Sequence, residues 1–208
     1  MKKLAIIGAG ELGKQIAHFA KLCNYEVVGY FDDVASKKQI NNIPVLGTTE
    51  TIFESYSLKK FDFLFVAIGY KHMEQRELVF QKFKNKIPFA NIIHPSSIID
   101  TTARLGEGII IYPKCIIDIN VEINDNALLN NGCIISHDSV VGSGSFLAPA
   151  VIFSGFVKTE SLVNLGTGTT VSDNIKISRL VKTGAGTVVV KNLLKKGVYI
   201  GCPAKLIE

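Results

Sequence analysis

Broken every six residues, positions 111–147 read IYPKCI IDINVE INDNAL LNNGCI ISHDSV VGSGSF L. An aliphatic side chain opens each block: Ile111, Ile117, Ile123, Leu129, Ile135, Val141 and Leu147. The same beat runs back to Ile99 and on to Val189, and only Thr159 and Thr183 interrupt its large apolar residues. Four residues after each comes a second small or apolar position, such as Ala103, Cys115, Val121, Ala127, Cys133, Ser139, Val151 and Val163. A period of six matches neither the 3.6 of a helix nor the alternation of a half-buried strand. It fits a solenoid whose short flat strands meet at regular corners, each coil burying its inner residues against the next. Three six-residue sides per coil define the left-handed parallel β-helix. Cys115 and Cys133, eighteen apart in the same inward slot, should then stack about 4.8 Å apart in neighbouring coils. A β-sandwich would not hold one phase for over ninety residues.

The rest of the 208-residue chain is shorter and differently patterned. Hydrophobic content of 47% with 20% charged residues describes a folded chain with ample core. No apolar run reaches the roughly 18 residues that span a bilayer. Met1-Lys2-Lys3 followed by Leu4 to Ile7 imitates a signal peptide, but Glu11 and Lys14 follow at once, so a first strand and a cytoplasmic protein are expected. The four cysteines form no CxxC pair and do not cluster with histidine, which predicts free thiols and no metal site. The net charge of +5 suits anionic small molecules. Its lysines and arginines are scattered, which argues against nucleic acid.

Lys3 to Ile7 reads as a strand, Gly8-Ala9-Gly10-Glu11-Leu12-Gly13 as a turn, and Lys14 to Cys23 as an amphipathic helix. A second strand, Tyr25 to Tyr30, ends at Phe31-Asp32-Asp33. This is the order of a nucleotide-binding βαβ unit, in which glycines let the backbone approach a ligand and an acid accepts hydrogen bonds from it. A strand from Phe61 to Ile68 ending at Gly69, a helix from Met73 to Phe83 and a strand from Phe89 to Ile93 complete the region. A full dinucleotide domain needs two such halves. About ninety residues leave room for one, which favours a single nucleotide over NAD. The fold class is therefore α/β plus all-β: a small Rossmann-like domain over 1–94 and the β-helix over 95–208, joined at His94-Pro95-Ser96.

Of four histidines, His18 and His72 lie in or beside helices and His94 at the junction, where ordinary packing or turn roles suffice. His137 differs in phase. The inward slots of its block are Ile135 and Ser139, so it falls near a corner and projects outward. Its neighbour Asp138 can fix one tautomer and raise its basicity.

The chain as a whole resembles the PglD/NeuD-like sugar acyltransferases. The resemblance is carried by Gly8 to Gly13, Phe31-Asp32-Asp33, Val66-Ala67-Ile68-Gly69, His94-Pro95, Asn130 through Asp138 and Gly201-Cys202-Pro203-Ala204-Lys205. It implies that His137 is the general base and Asp138 its acidic support. It also implies that Gly10, Glu11, Leu12, Asp32, Asp33 and Gly69 hold a nucleotide-linked sugar. Asn130 falls where the family carries an asparagine beside the reacting sugar. Phe146, Thr167 and Ala185 occupy positions that contact acetyl-CoA, although relatives commonly have a second histidine in place of Phe146. Glu11 likewise stands where relatives often have histidine. A homotrimer with active sites between subunits is implied as well.

The expected reaction is acetyl transfer from acetyl-CoA to the amine of a UDP- or dTDP-linked 4-amino-4,6-dideoxy sugar, with no metal. An outward imidazole suits removal of the amine proton, and backbone N–H groups on the wall suit the developing oxyanion. A sialic-acid-type sugar O-acetyltransferase is the alternative on the same scaffold. A nicotinamide oxidoreductase and a non-catalytic nucleotide-sugar binder are the other classes to separate.

Overall fold

The computed structural model describes Met1–Ile207, which fall into two compact units, Met1–Ile92 and a second from Ile93 onward. In the first unit a strand β1 (Lys2–Ile7) leads through the glycine turn into helix α1 (Glu11–Leu22) and strand β2 (Tyr25–Phe31). Leu4 to Ile7 are all buried, as a continuous apolar run in a central parallel strand must be. Gly13, Ile16, Ala17 and Ala20 make the buried stripe of α1, and the small Gly13, Ala17 and Ala20 let the helix lie close to the sheet. The helix ends where Asn24 takes a left-handed conformation, a frequent helix stop.

Beyond β2 the structure contains elements the sequence patterning did not reveal. A short hairpin, β3 (Gln39–Ile40) and β4 (Ile43–Gly47), turns at Asn41-Asn42, both with positive φ. Helix α2 (Ile52–Ser57) follows, then β5 (Phe63–Val66) and α3 (Met73–Phe83). The sheet order is β3-β4-β2-β1-β5, with only the β3–β4 pair antiparallel. Strand β5 is shorter than the apolar run suggests: Phe61 is in the core but outside the ladder. No strand spans Phe89 to Ile93; Phe89 makes a single bridge to Leu64, and Ile92–Ile93 is a separate short strand.

The second unit is a parallel β-helix. Two-residue strands pair in register with the strands eighteen residues before and after, as Ile116 does with Ile98 and Ile134. Three columns of such strands make three sides. Their outward residues differ: one column reads Ile98, Ile116, Ile134, Ile152, the next Arg104, Glu122, Val140, Lys158, Lys176, and the third Ile110, Leu128, Phe146, Asn164. The inward slots fill one continuous core from Ile109 to Tyr199. Thr159 and Thr183, the two breaks in the aliphatic beat, accept hydrogen bonds from the backbone N–H groups of Gly142 and Gly166 at 2.9 Å each. A hydroxyl is tolerated inside because it finds a partner. Cys115 and Cys133 are both fully buried in the same inward column. The hydrogen bond with Cys115 and burial push the Cys133 thiol up.

Corners turn through left-handed backbone. Positive φ recurs every six residues from Gly108 to Gly186, fourteen times without a gap. Gly, Asn and Asp, which adopt this conformation most readily, occupy nine of those corners; Lys114, Ala150, Phe156, Leu162 and Leu180 adopt it at a cost of roughly 1–2 kcal/mol each. The strand Gly197–Ile200 adds to Val181–Thr183 and turns back on Lys205–Leu206, closing the last coil.

Candidate active site

His137 and Asp138 form one of these corners, with Asp138 at φ 57°. The expected outward direction is what the structure has: the two side chains are 44% and 35% exposed. His137 Nδ1 lies 3.0 Å from Asp138 Oδ2. The hydrogen bond with His137 holds the Asp138 carboxyl below its ordinary value, so it is ionised at neutral pH. An ionised carboxylate only accepts. Nδ1 therefore carries the proton, and the lone pair of the neutral ring is on Nε2.

Eighteen residues on, Gly155 occupies the same corner in the next coil, and the ring lies against it. A Cβ on Gly155 would stand 2.6 Å from His137 Cε1 and 2.7 Å from Nε2. Gly155 has no left-handed φ to explain it, so its missing side chain makes room for the ring. The neighbouring Phe156 sets its ring perpendicular to the imidazole at 5.1 Å between centroids. Sequence reading missed Gly155; its only signal is the eighteen-residue spacing, informative once the coil length is known.

The other wall residues lie elsewhere. Asn130 sits at the opposite corner of the Ile134–Ile135 side, and a side of this kind spans roughly 15–20 Å at strand rise. Its Nδ2 donates to the Leu147 carbonyl at 3.0 Å. Thr167 and Ala185 stack in that same corner column, where the Gly186 N–H donates to the Thr167 carbonyl at 2.8 Å. Phe146 projects from the adjoining side, in register with Leu128 and Asn164. Within one chain these residues form a separate edge from His137.

In the first unit the glycine turn, Asp32, Asp33 and Gly69 gather at the carboxyl ends of β1, β2 and β5. Here β1 has β2 on one side and β5 on the other, so strand order reverses, the usual place for a ligand crevice in a parallel sheet. Gly8, at φ 101°, brings its backbone so close to Ala67 that a Cβ would stand 2.9 Å from the Ala67 carbonyl oxygen. Gly13 packs as tightly, on the Gly8 carbonyl. Gly10 and Gly69 face open space instead.

Asp32 is already engaged by the protein. Its Oδ2 accepts from the Ala9 N–H at 2.7 Å and its Oδ1 from the Val34 N–H at 2.9 Å, tying the glycine turn to the end of β2. Asp33 accepts from the N–H and hydroxyl of Thr49. Glu11 is turned to Lys14 Nζ at 2.5 Å and is largely exposed. Leu12 is half-buried in the first turn of α1. Among the described residues no group of three or more His, Cys, Asp or Glu is arranged to hold a metal ion, and no helix is long and apolar enough to cross a membrane.

Comparison with known proteins agrees with both halves. Residues 3–83 match the family described as the PglD N-terminal domain. No curated protein sequence matches the chain. Among solved structures, PerB from Caulobacter crescentus, crystallised with CoA and GDP-perosamine, is 29% identical with a TM-score of 0.92, covering 100% of this chain and 98% of that one. The acetyltransferase domain of PglB from Neisseria gonorrhoeae is 26% identical with a TM-score of 0.91 and full coverage of both chains. WeeI from Acinetobacter baumannii, at 21% identity and a TM-score of 0.83, shares the fold over the full length of both chains. The first unit thus matches the PglD N-terminal domain, and over its whole length the chain is similar to solved sugar acetyltransferases.

Proposed function

We propose that this protein transfers the acetyl group of acetyl-CoA to the amino group of a nucleotide-linked 4-amino-4,6-dideoxy sugar, with His137 as general base. The observation that carries the reading is the corner geometry: Asp138 holds Nδ1, and Nε2 is left as the acceptor beside a glycine. As the sugar nitrogen bonds to the thioester carbonyl carbon, its proton passes to Nε2; the C–S bond then breaks and the CoA sulfur takes a proton as it leaves. Supporting the same role, a related perosamine N-acetyltransferase has been crystallised with a single histidine replaced, by asparagine or by alanine, in complex with CoA and GDP-perosamine.

The glycine turn, Asp32, Asp33 and Gly69 hold the nucleotide, with Asp32 acting mainly by fixing the turn so that free N–H groups at the start of α1 meet the phosphates. The sugar is carried on UDP or dTDP in our reading; GDP is the first competitor, because PerB is seen with GDP-perosamine. Asn130, Phe146, Thr167 and Ala185 contact the sugar and acetyl-CoA from a neighbouring copy. Two features support a trimer. The candidate base and the candidate CoA wall lie on different edges of one prism, and the side between them exposes Ile98, Ile116 and Ile152.

Release of free thiol from acetyl-CoA, measured with UDP-, dTDP- and GDP-linked amino and hydroxy sugars, tests the proposal. Turnover confined to amino sugars is expected. Turnover of hydroxyl acceptors alone would replace it with the O-acetyltransferase, and NAD(H) binding without affinity for nucleotide sugars would replace it with an oxidoreductase.

A further inference from the structure

Asp138 has two carboxylate oxygens, and the candidate base uses only one of them. The other, Oδ1, accepts a hydrogen bond at 3.2 Å from Nδ2 of Asn120, which stands one coil below at the same corner. Asn120 is itself held from beneath. Its backbone N–H donates to Thr102 Oγ1 at 2.8 Å, and the Thr102 hydroxyl donates to Asp100 Oδ1 at 2.7 Å. Asn120 also takes the left-handed corner conformation, at φ 57°, one that asparagine adopts readily. A column of side chains therefore climbs three coils, from Asp100 through Thr102, Asn120 and Asp138, and ends on the imidazole.

We infer that Asn120 is a positioning residue for the His137 base: by fixing one oxygen of Asp138 it aims the other at Nδ1. An exposed aspartate rotates about two side-chain bonds. Held at one oxygen only, it would sample orientations in which Nδ1 loses its acceptor and the ring loses its tautomer. With both oxygens engaged, the carboxylate plane is set. The same hydrogen bond contributes to keeping Asp138 ionised. The inference rests on the proposed role of His137 and adds a residue that the resemblance does not assign. The other ionisable groups at this corner in the neighbouring coils are Asp100 and Asp118 below His137 and Asp173 above it, and all three are retained in every variant below.

Asn120→Gly removes the amide and keeps a residue at ease with positive φ, so the corner still folds. In the intact protein its kcat is expected to fall about tenfold, while KM for acetyl-CoA and for the sugar stays within about twofold. Asn120→Asp keeps the shape but sets a second carboxylate beside Asp138, which favours the protonated imidazole. The acidic limb of its kcat/KM profile is expected to move upward by about half a pH unit or more. Asn174→Gly alters another left-handed asparagine of this column, whose Nδ2 donates to Asp173, and is expected to leave kcat and the pH profile unchanged. An Asn120→Gly enzyme with wild-type kcat, or an Asn120→Asp enzyme with an unmoved acidic limb, would overturn the inference while a dead His137→Ala enzyme left the base in place. A His137→Ala enzyme at full activity would overturn both.

Discussion

The two units reach their candidate sites by opposite routes. In the β-helix every structural feature repeats: inward slots, corners and left-handed residues all return on the beat of six, and His137 acts as a variation at one corner of a uniform wall. In the Met1–Ile92 unit nothing repeats, and the glycine turn depends on single contacts, such as the hydrogen bond from the Ala9 N–H to Asp32. A repeated scaffold holds its site rigidly through coils above and below. A unique one holds it through a few irreplaceable partners. Substitutions in the two places should therefore differ in kind.

Among substitutions of residues that support a site rather than of the base itself, the largest effect is expected from Gly155→Ala. The new Cβ would occupy space now filled by Cε1 and Nε2 of His137, while the backbone there accepts alanine. Displacing a base by about 1 Å costs on the order of a hundredfold. Steady-state kinetics should show kcat falling by that order with the melting temperature little changed; a wild-type kcat would mean that the ring does not act from this position.

Asp32→Ala probes the other route. Losing the acceptor for the Ala9 and Val34 N–H groups loosens the glycine turn, and a hydrogen bond to a charged group contributes roughly 1.5–3 kcal/mol. KM for the nucleotide sugar should rise about tenfold or more with kcat nearly unchanged. An effect on kcat alone would detach the turn from nucleotide binding.

A smaller, opposite effect is expected at a corner residue to which no role in the site is assigned. Lys114 is exposed and holds φ 62°, a conformation that suits asparagine better. Lys114→Asn should stabilise the protein by about 0.5–1 kcal/mol in a denaturant melt, with activity unaltered. A loss of stability would show that the left-handed corners are not the strained points of the wall.

How far the sequence could be read follows from the same contrast. The β-helix was legible because burial locks every sixth residue, so Ile111 through Leu147 announce it even singly spaced. Thr159 and Thr183 looked like exceptions only because a pattern of apolarity does not register a satisfied hydroxyl. The outward phase of His137 followed from the positions of Ile135 and Ser139. Gly155 and Asn120 did not follow, since each matters through a neighbour one coil away rather than along the chain. In the first unit the strand, glycine turn and helix were visible in the spacing of Gly8, Gly10 and Gly13. The hairpin at Gln39–Gly47 was not: β3 is only two residues long at the sheet's edge, and Pro44 interrupts the apolar run of β4. Nor could spacing show that Asp32 grips the turn itself, because that contact joins residues twenty-three apart. The match to the PglD N-terminal domain and to the acetyltransferase structures bears out the family and the fold expected from the motifs.

The central claim is that an outward imidazole, with its tautomer set by Asp138, removes the proton of the acceptor amine. Thiol release from acetyl-CoA by His137→Ala, with the best nucleotide-linked amino sugar at saturation, tests it most directly. A fall in kcat of about a hundredfold or more is expected, with an unchanged melting temperature, because the side chain supports no core contact. Turnover equal to the parent enzyme would contradict the account.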